Sequence, residues 1–140
     1  MNITDPLRRH ARERPAVHAL LRPRGAPIAY AALDAIVDAV AHRCRDAGIA
    51  PGDVVQVASR RPMRTVVLSL ALARMGAAAA AAVLAPSVAS RAFVDDASEA
   101  RGGQRAIVVE AGWFETPSAA PAPVGVDASP DTVAIVCPSS

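Results

Sequence analysis

Apolar and polar residues alternate along this chain with two periods, one typical of helices and one typical of strands. The strongest helical period begins at residue 32, and its apolar stripe consists of Leu33, Ile36, Val37, Val40, Cys44 and Ala47. Charged residues such as Asp34, Asp38 and Arg45 fall outside this stripe. Gly48 follows it, and glycine readily adopts the left-handed conformation that ends a helix. The pattern therefore predicts an amphipathic helix that ends near residue 48.

The residues before this helix predict a shorter helix and a hairpin. Thr4 and Asp5 can cap the shorter helix, which we expect to end before Pro15. Two extended pieces follow at residues 17–21 and 28–30. Because proline and glycine lie in the connector between them, we expect the two pieces to pair as a hairpin.

Beyond residue 50, predicted strands and helices alternate. A Pro-Gly-Asp turn leads into this part of the chain. Strands are predicted at residues 54–58, 77–85, 105–110 and 132–137. Six consecutive alanines weaken the second strand, because alanine favours helices. Helices are predicted at residues 63–75 and 88–100, and a long connector is predicted at residues 112–130.

This alternation predicts the fold class. Strands that alternate with helices pair in parallel through crossovers, which gives a layered α/β structure. We therefore predict an α/β fold with a doubly wound, mostly parallel sheet and flanking helices. Residues 1–50 would supply the first helix, the short hairpin and the amphipathic helix. Residues 51–140 would supply the βα repeats.

The composition and the net charge of the chain limit the classes of function that it can have. The chain has 140 residues and a net charge of +2, and all 15 basic residues are arginine. The arginines are interspersed with acids, so no coherent basic field indicates a nucleic-acid partner. Those of the first helix, Arg8, Arg9, Arg12 and Arg14, fit a solvated face better than a contact with anionic lipid or nucleic acid. Cys44 and Cys137 stand far apart, which is typical of reduced cytosolic thiols.

Residues 66–85 are apolar enough to raise the question of a membrane span. Arg74 and Gly76 lie at the centre of this stretch, and an arginine there costs at least about 3 kcal/mol on insertion. A helix, a glycine stop and a strand explain the pattern better. The N-terminus lacks the apolar core of a signal peptide. We therefore expect a cytoplasmic protein without a membrane span.

Two loops are candidate ligand sites, because ligands of open parallel sheets bind beyond the carboxyl ends of the strands. In the first loop, Arg60 and Arg61 precede a predicted helix, where two guanidinium groups can contact an anion. Solvated arginines flanking a helix start explain the same residues, and this explanation is favoured. In the second loop, Ser139 and Ser140 follow the last strand. Small residues there let backbone N–H groups approach a phosphate.

No residue is predicted to be catalytic. His10, His18 and His42 have no acidic or cysteine partners at metal-ligand spacing, so no metal site is predicted. A Rossmann glycine fingerprint, a nucleophile elbow and a complete Walker loop are all missing from the sequence. Cys44 lies on the apolar stripe, where a core role is expected rather than a nucleophilic one.

Five short segments carry a family resemblance. Residues 47–55 are similar to a "GvxpGDrV" motif, and residues 131–140 are similar to the strand that leads into an "SSGTTGxPK" loop. The other matching segments are residues 15–20, 28–33 and 71–77. Together they resemble the N-terminal part of the adenylate-forming superfamily. That superfamily includes acyl-CoA synthetases, aryl-CoA ligases, luciferases and peptide-synthetase adenylation domains.

The resemblance implies that residues 1–140 are the N-terminal portion of the large N-terminal domain of an AMP-forming ligase, without its C-terminal domain. In that family a carboxylate attacks the α-phosphate of ATP, with Mg²⁺, and a thiol, usually that of coenzyme A, then displaces AMP. Ser139 and Ser140 would open the loop that holds the ATP phosphates. The glycines and lysine that complete the loop are missing from the chain. We therefore expect an inactive scaffold that binds none of these cofactors tightly.

The resemblance also implies partners. The remainder of the parent enzyme is the expected partner, and a carboxylic acid is its expected substrate. The two serines favour acyl- or aryl-CoA ligases, and hence fatty acid metabolism, over peptide-synthetase adenylation domains. Which acid is activated, and whether coenzyme A or a carrier-protein thiol accepts it, cannot be inferred from these residues.

A standalone α/β interaction or regulatory module, derived from such an enzyme without its chemistry, is the alternative. The lack of lysine and of an intact phosphate loop favours it, whereas an end at Ser140, directly after a buried strand, disfavours it. In either case the open sheet edges of such a scaffold favour self-association, so we expect a homo-oligomer.

Overall fold

Helices and two sheets make up the structure, a computed structural model that describes residues 2–80, 88–99, 103–124 and 135–136. The helices of this part of the chain are α1 (Asp5–Glu13), α2 (Tyr30–Asp46) and α3 (Pro62–Arg74). Short 3₁₀ turns occur at Ala97–Glu99 and Ala111–Phe114. Helix α2 packs against both α1 and α3. The predicted first helix and amphipathic helix are thus confirmed.

The strands form one antiparallel hairpin and one parallel sheet. The hairpin consists of β1 (His18–Leu20) and β2 (Ile28–Ala29), as predicted. The strands of the sheet are β3 (Val54–Val57), β4 (Ala78–Ala80), β5 (Arg91–Val94), β6 (Arg105–Val108) and β7 (Ile135–Val136). They lie in the order β6-β5-β3-β4-β7, and every neighbouring pair is parallel. The predicted α/β class with a parallel sheet is therefore confirmed.

The core lies between the helices and the parallel sheet. The apolar stripe of α2 is buried as predicted, and α3 contributes Val67, Leu68, Ala71 and Leu72. Ala78–Ala80 is a buried strand although alanine favours helices, because it pairs with β3 on one side and β7 on the other. Tertiary pairing thus overrides local propensity at this position.

Glycines end the two long helices. Gly48 follows α2 with φ of +85°, and Gly76 follows α3 with φ of +84°. Both values lie in the left-handed region, which residues with a Cβ rarely occupy. The two predicted helix stops are therefore confirmed.

The prediction of a helix at residues 88–100 is wrong. This segment contains strand β5, which pairs with β3 on one side and β6 on the other, and then the 3₁₀ turn Ala97–Glu99. Ala92, Phe93 and Val94 are consecutive and all buried. A continuous buried run is typical of a strand inside a parallel sheet, where both faces are covered.

A buried ion network connects the three helices. Arg74 of α3 is fully buried, and its guanidinium nitrogens lie 3.2 Å from Asp38 Oδ1 and 2.7 Å from Asp34 Oδ1. Arg8 of α1 lies 2.8 Å from the same Asp38 oxygen. Asp38 lies outside the apolar stripe of α2, as predicted, but it is buried rather than solvated. Helix α1 and the backbone N–H of Val124, which donates to Asp38 at 3.0 Å, cover that side.

The start of α1 also differs from the expectation. Thr4 occupies the position before the helix, but its side chain forms no cap. Instead its hydroxyl accepts a hydrogen bond from Arg74 Nε at 3.1 Å. The side chain of Asn2 donates to the carbonyls of Ala73 and Arg74. The first residues therefore join the buried network.

None of the helices that the structure describes is long and apolar enough to cross a membrane.

Candidate functional site at the carboxyl edge of the sheet

The candidate site lies where β3 and β5 run side by side. After β3 the chain crosses to β4 on one side, whereas β5 returns to the other side of β3. The loops that follow β3 and β5 therefore diverge at a topological switch point, where open α/β sheets bind their ligands. Residues 59–61 follow β3, and Asp95 follows β5.

Asp95 is the centre of this site. Its carboxylate accepts hydrogen bonds from Ser59 Oγ at 3.0 Å and from the backbone N–H of Arg60 at 3.1 Å. Arg64 Nη1 donates to it at 2.8 Å. The carboxylate thus binds the backbone N–H of Arg60, which lies two residues before the first residue of α3.

The pKa of Asp95 is lowered from its ordinary value. Burial acts in the opposite direction, since it disfavours the charged form, but hydrogen bonds from the Arg60 N–H, Ser59 and Arg64 outweigh it. The charge of Arg64 lowers the pKa further. Asp95 is therefore ionised at neutral pH and unsuited to act as a general acid or base there.

Arg64 connects the elements that surround this site. It is buried, with 8% of its surface exposed, and besides Asp95 it donates to the carbonyl of Val109 at 3.3 Å. Its guanidinium carbon lies 5.2 Å from the centre of the Phe114 ring, a cation–π arrangement. Arg64 therefore joins α3 to the ends of β5 and β6 and to the turn at Phe114.

Arg60 and Arg61 lie at the rim of this site. Both are exposed, and Arg61 is the residue that precedes α3. The backbone N–H of Arg61 donates to Ser59 Oγ at 3.2 Å. An anion contact of these two side chains stays a prediction, but the adjacent backbone position is already taken by Asp95.

Ser139 and Ser140 lie outside the described residues, as does Cys137. Strand β7, which precedes them along the chain, is parallel to β4 and pairs Ala79 with Ile135. Its carboxyl end therefore points to the same edge of the sheet as the ends of β3 and β5. The role of Ser139 and Ser140 in a phosphate loop stays a prediction.

The remaining candidates give no reactive group. Burial raises the pKa of Cys44 to about 12, with a smaller opposing effect of a backbone hydrogen bond, so the thiol is protonated at neutral pH. The residues that the structure describes contain no group of three or more histidines, cysteines or acids that could hold a metal ion. Trp113 packs edge-on against Phe93 and lies under Arg43.

The sequence predictions missed Asp95 and Arg64. Asp95 directly follows the apolar run 92–94, and an acid after a buried parallel strand is a signal for the ligand edge of a sheet. That signal was lost because residues 88–100 were assigned to a helix. Arg64 gives no comparable signal, because an arginine near the start of a helix is normally solvated.

We expect Asp95→Asn to lower the free energy of unfolding by about 2 kcal/mol at neutral pH, because Arg64 would keep its burial and lose its charged partner. The lowered pKa means that Asp95 stabilises the fold fully above its unfolded-state value, about 4, and loses this effect as the pH falls further. Urea unfolding at pH 7 and about pH 3 should show the gap between wild type and variant narrowing in acid. A gap that does not depend on pH would contradict this assignment. Glu115→Gln, which changes an exposed acid outside this site, is the control.

Comparison with known proteins defines the class of fold. No family model and no curated protein sequence matches the chain. Among solved structures, the N-terminal subdomain of Klebsiella oxytoca NpsA is similar, with a TM-score of 0.79, 20% identity and coverage of 96% of this chain and 38% of that one. A Mycobacterium tuberculosis fatty acyl CoA synthetase matches with a TM-score of 0.74 and 20% identity over 99% of this chain and 32% of that one.

A third match has a carrier domain. An artificially fused adenylation–PCP di-domain, NpsA-ThdA, has a TM-score of 0.70 and 21% identity over 81% of this chain and 23% of that one. The chain thus has the fold found in the N-terminal subdomain of adenylate-forming enzymes, as the motif resemblance implied. It spans only between 23% and 38% of the length of these structures.

Proposed function

We propose that this chain is a scaffold portion of an adenylate-forming ligase of the acyl- or aryl-CoA synthetase type. The observation that carries the proposal is the fold, with its parallel sheet in the order β6-β5-β3-β4-β7. An adenylation subdomain matches this fold over 96% of the chain, and a fatty acyl CoA synthetase matches it over 99%. The five sequence motifs support the same class. The parent reaction would be ATP-dependent activation of a carboxylic acid to an acyl-adenylate, followed by thioester formation.

The described residues contribute positioning rather than chemistry. The Asp95–Arg64 pair fixes the ends of β3, β5 and β6 at the edge where a ligand would bind. Asp95 and Arg64 bind each other, so we assign neither side chain a role in holding the phosphates of ATP. We assign the start of the phosphate loop to Ser139 and Ser140, and the sites of Mg²⁺ and coenzyme A to the rest of the parent enzyme. That remainder is the proposed partner, and the cytoplasm is the proposed location.

We expect the purified 140-residue chain to catalyse no carboxylate-dependent ATP–pyrophosphate exchange. The reason is that the chain contains no lysine and lacks the glycines of the expected phosphate loop, so we expect no cradle that neutralises the phosphates of ATP. The assay would use a panel of short, long and aromatic carboxylic acids, and a complete adenylate-forming enzyme would be the positive control. Exchange above background that requires the acid would overturn the inactive-scaffold proposal. ATP binding measured by calorimetry gives a second readout that is independent of turnover.

A non-catalytic interaction module is the second candidate. The lack of lysine favours it, and the Asp95–Arg64 pair at the ligand edge is satisfied within the chain without a nucleotide. The two candidates predict different results when the chain is joined to the rest of the proposed parent enzyme. A ligase portion would then support ATP–pyrophosphate exchange, whereas an interaction module would bind its partner without that addition.

A further inference from the structure

A groove separates the hairpin from the first half of α3. Its volume is about 880 Å³, and its apolar floor includes Leu20, Leu21, Met63 and Val66. We call this the hairpin groove. Leu21 is 78% exposed and Val66 is 40% exposed, which is unusual for large apolar side chains that face each other across a cleft.

Met63 and Val66 line the groove, and Leu70 lies beyond it on the same helix. Met63, Val66 and Leu70 follow one another at spacings of three and four residues, so they lie on one face of the helix. All three are incompletely buried. A row of apolar side chains at this spacing is the surface against which a second helix packs, with its ridges in the grooves of the first.

The rim of the hairpin groove is basic. Arg22, Arg24 and Arg61 line it, and no acid is among the described residues that do so. Arg22 Nε donates to the carbonyl of Ala26 at 2.7 Å, which holds its side chain at the rim. The N-terminal end of α3, which adds a partial positive charge, has no acid in its first turn.

We propose that the hairpin groove is the docking site of an amphipathic helix with an acidic flank, supplied by another polypeptide segment. The apolar face of that helix lies along Met63, Val66 and Leu70, and its acids pair with the arginines of the rim. A second copy of this chain docked by the same patch would bring arginines against arginines, so charge complementarity excludes a symmetric contact through this groove. The proposal rests on the groove alone and does not require the parent protein to be a ligase.

The test uses a synthetic peptide as the probe. A fluorescein-labelled helix of about 16 residues would span about 24 Å, slightly more than α3, with leucines at helical spacing on one face and glutamates beside them. We expect binding by the full chain, measured by fluorescence polarisation, that weakens as the salt concentration rises. A peptide with lysines in place of the glutamates should bind at least about tenfold more weakly.

Matched variants locate the site. Reversal of the rim, R22E/R24E/R61E, should weaken peptide binding at least about tenfold, and Leu21→Glu should weaken it similarly. The control R9E/R12E/R14E changes two exposed arginines of α1 and the exposed arginine that directly follows it. Ile3→Glu changes an apolar residue that is 67% exposed. Both controls should bind as wild type does. Circular dichroism establishes that each variant is folded.

The proposal is overturned if the lysine peptide binds as tightly as the glutamate peptide, or if the control variants lose binding to the same extent. Hydrogen exchange of the wild-type chain gives an answer that needs no variant. The glutamate peptide should slow exchange in residues 20–24 and 61–70. Protection elsewhere, or binding to phosphatidylglycerol vesicles without binding to the peptide, would also overturn it.

Discussion

Asp38→Ala is expected to lower the free energy of unfolding by about 3–5 kcal/mol, the range found when one partner of a buried ion pair is removed. Asp38 accepts hydrogen bonds from Arg8, Arg74 and the backbone of Val124. Arg74 is fully buried and would keep Asp34 at 2.7 Å, but its Nη1 would lose the carboxylate of Asp38. Arginine also cannot escape the cost by losing its proton.

Urea unfolding followed by circular dichroism would measure the change. Asp46→Ala is the control, since Asp46 lies at the exposed end of the same helix and should change stability by less than about 0.5 kcal/mol. Equal effects of the two substitutions would show that the network contributes no more than a surface charge. Replacement of both Asp38 and Arg74 by apolar residues should cost less than the sum of the single changes, because the two charges interact.

Phe93→Ala should be comparably destabilising, by about 3–5 kcal/mol, because it leaves a cavity in a strand that is paired on both sides. Phe93 is fully buried and packs edge-on against Trp113, with ring centres 6.3 Å apart. The substitution therefore removes apolar burial and an aromatic pair together.

The thermal midpoint and the urea midpoint would both report this loss. Val88→Ala is the control, because Val88 belongs to the same segment but is 52% exposed, and it should cost less than about 0.5 kcal/mol. If Phe93→Ala cost no more than this control, β5 would not be an inner strand of the sheet. Phe93→Leu, which keeps most of the volume, should have an intermediate effect.

The elements predicted correctly are those whose own residues determine them. Helix α2 carries a long apolar stripe and a glycine stop, and both signals are local. Strand β5 was mistaken for a helix because alanine, serine and acids surround its short apolar run. Its strand character comes from its pairing with β3 and β6, which are distant in sequence.

The polar contacts were less predictable than the fold. Arg64 and Asp95 are separated by 31 residues, and Arg74 and Asp38 by 36. A charged residue in an amphipathic pattern is normally solvated, so its burial becomes visible only when the helices are packed together. The position of Arg60 and Arg61 before a helix was predicted, but the Asp95 carboxylate that binds beside them was not.

The parallel order of the sheet also determines how the chain can reach its native state. Neighbouring strands cannot meet through a tight turn: Val55 pairs with Arg91, and Ala79 pairs with Ile135. The helices, in contrast, follow one another along the chain and pack as consecutive neighbours. Closure of a loop becomes more costly as the loop lengthens, so we expect Arg91 to pair with Arg105 before Ala79 pairs with Ile135. Strand β7, at one outer edge of the sheet, is therefore expected to join it last.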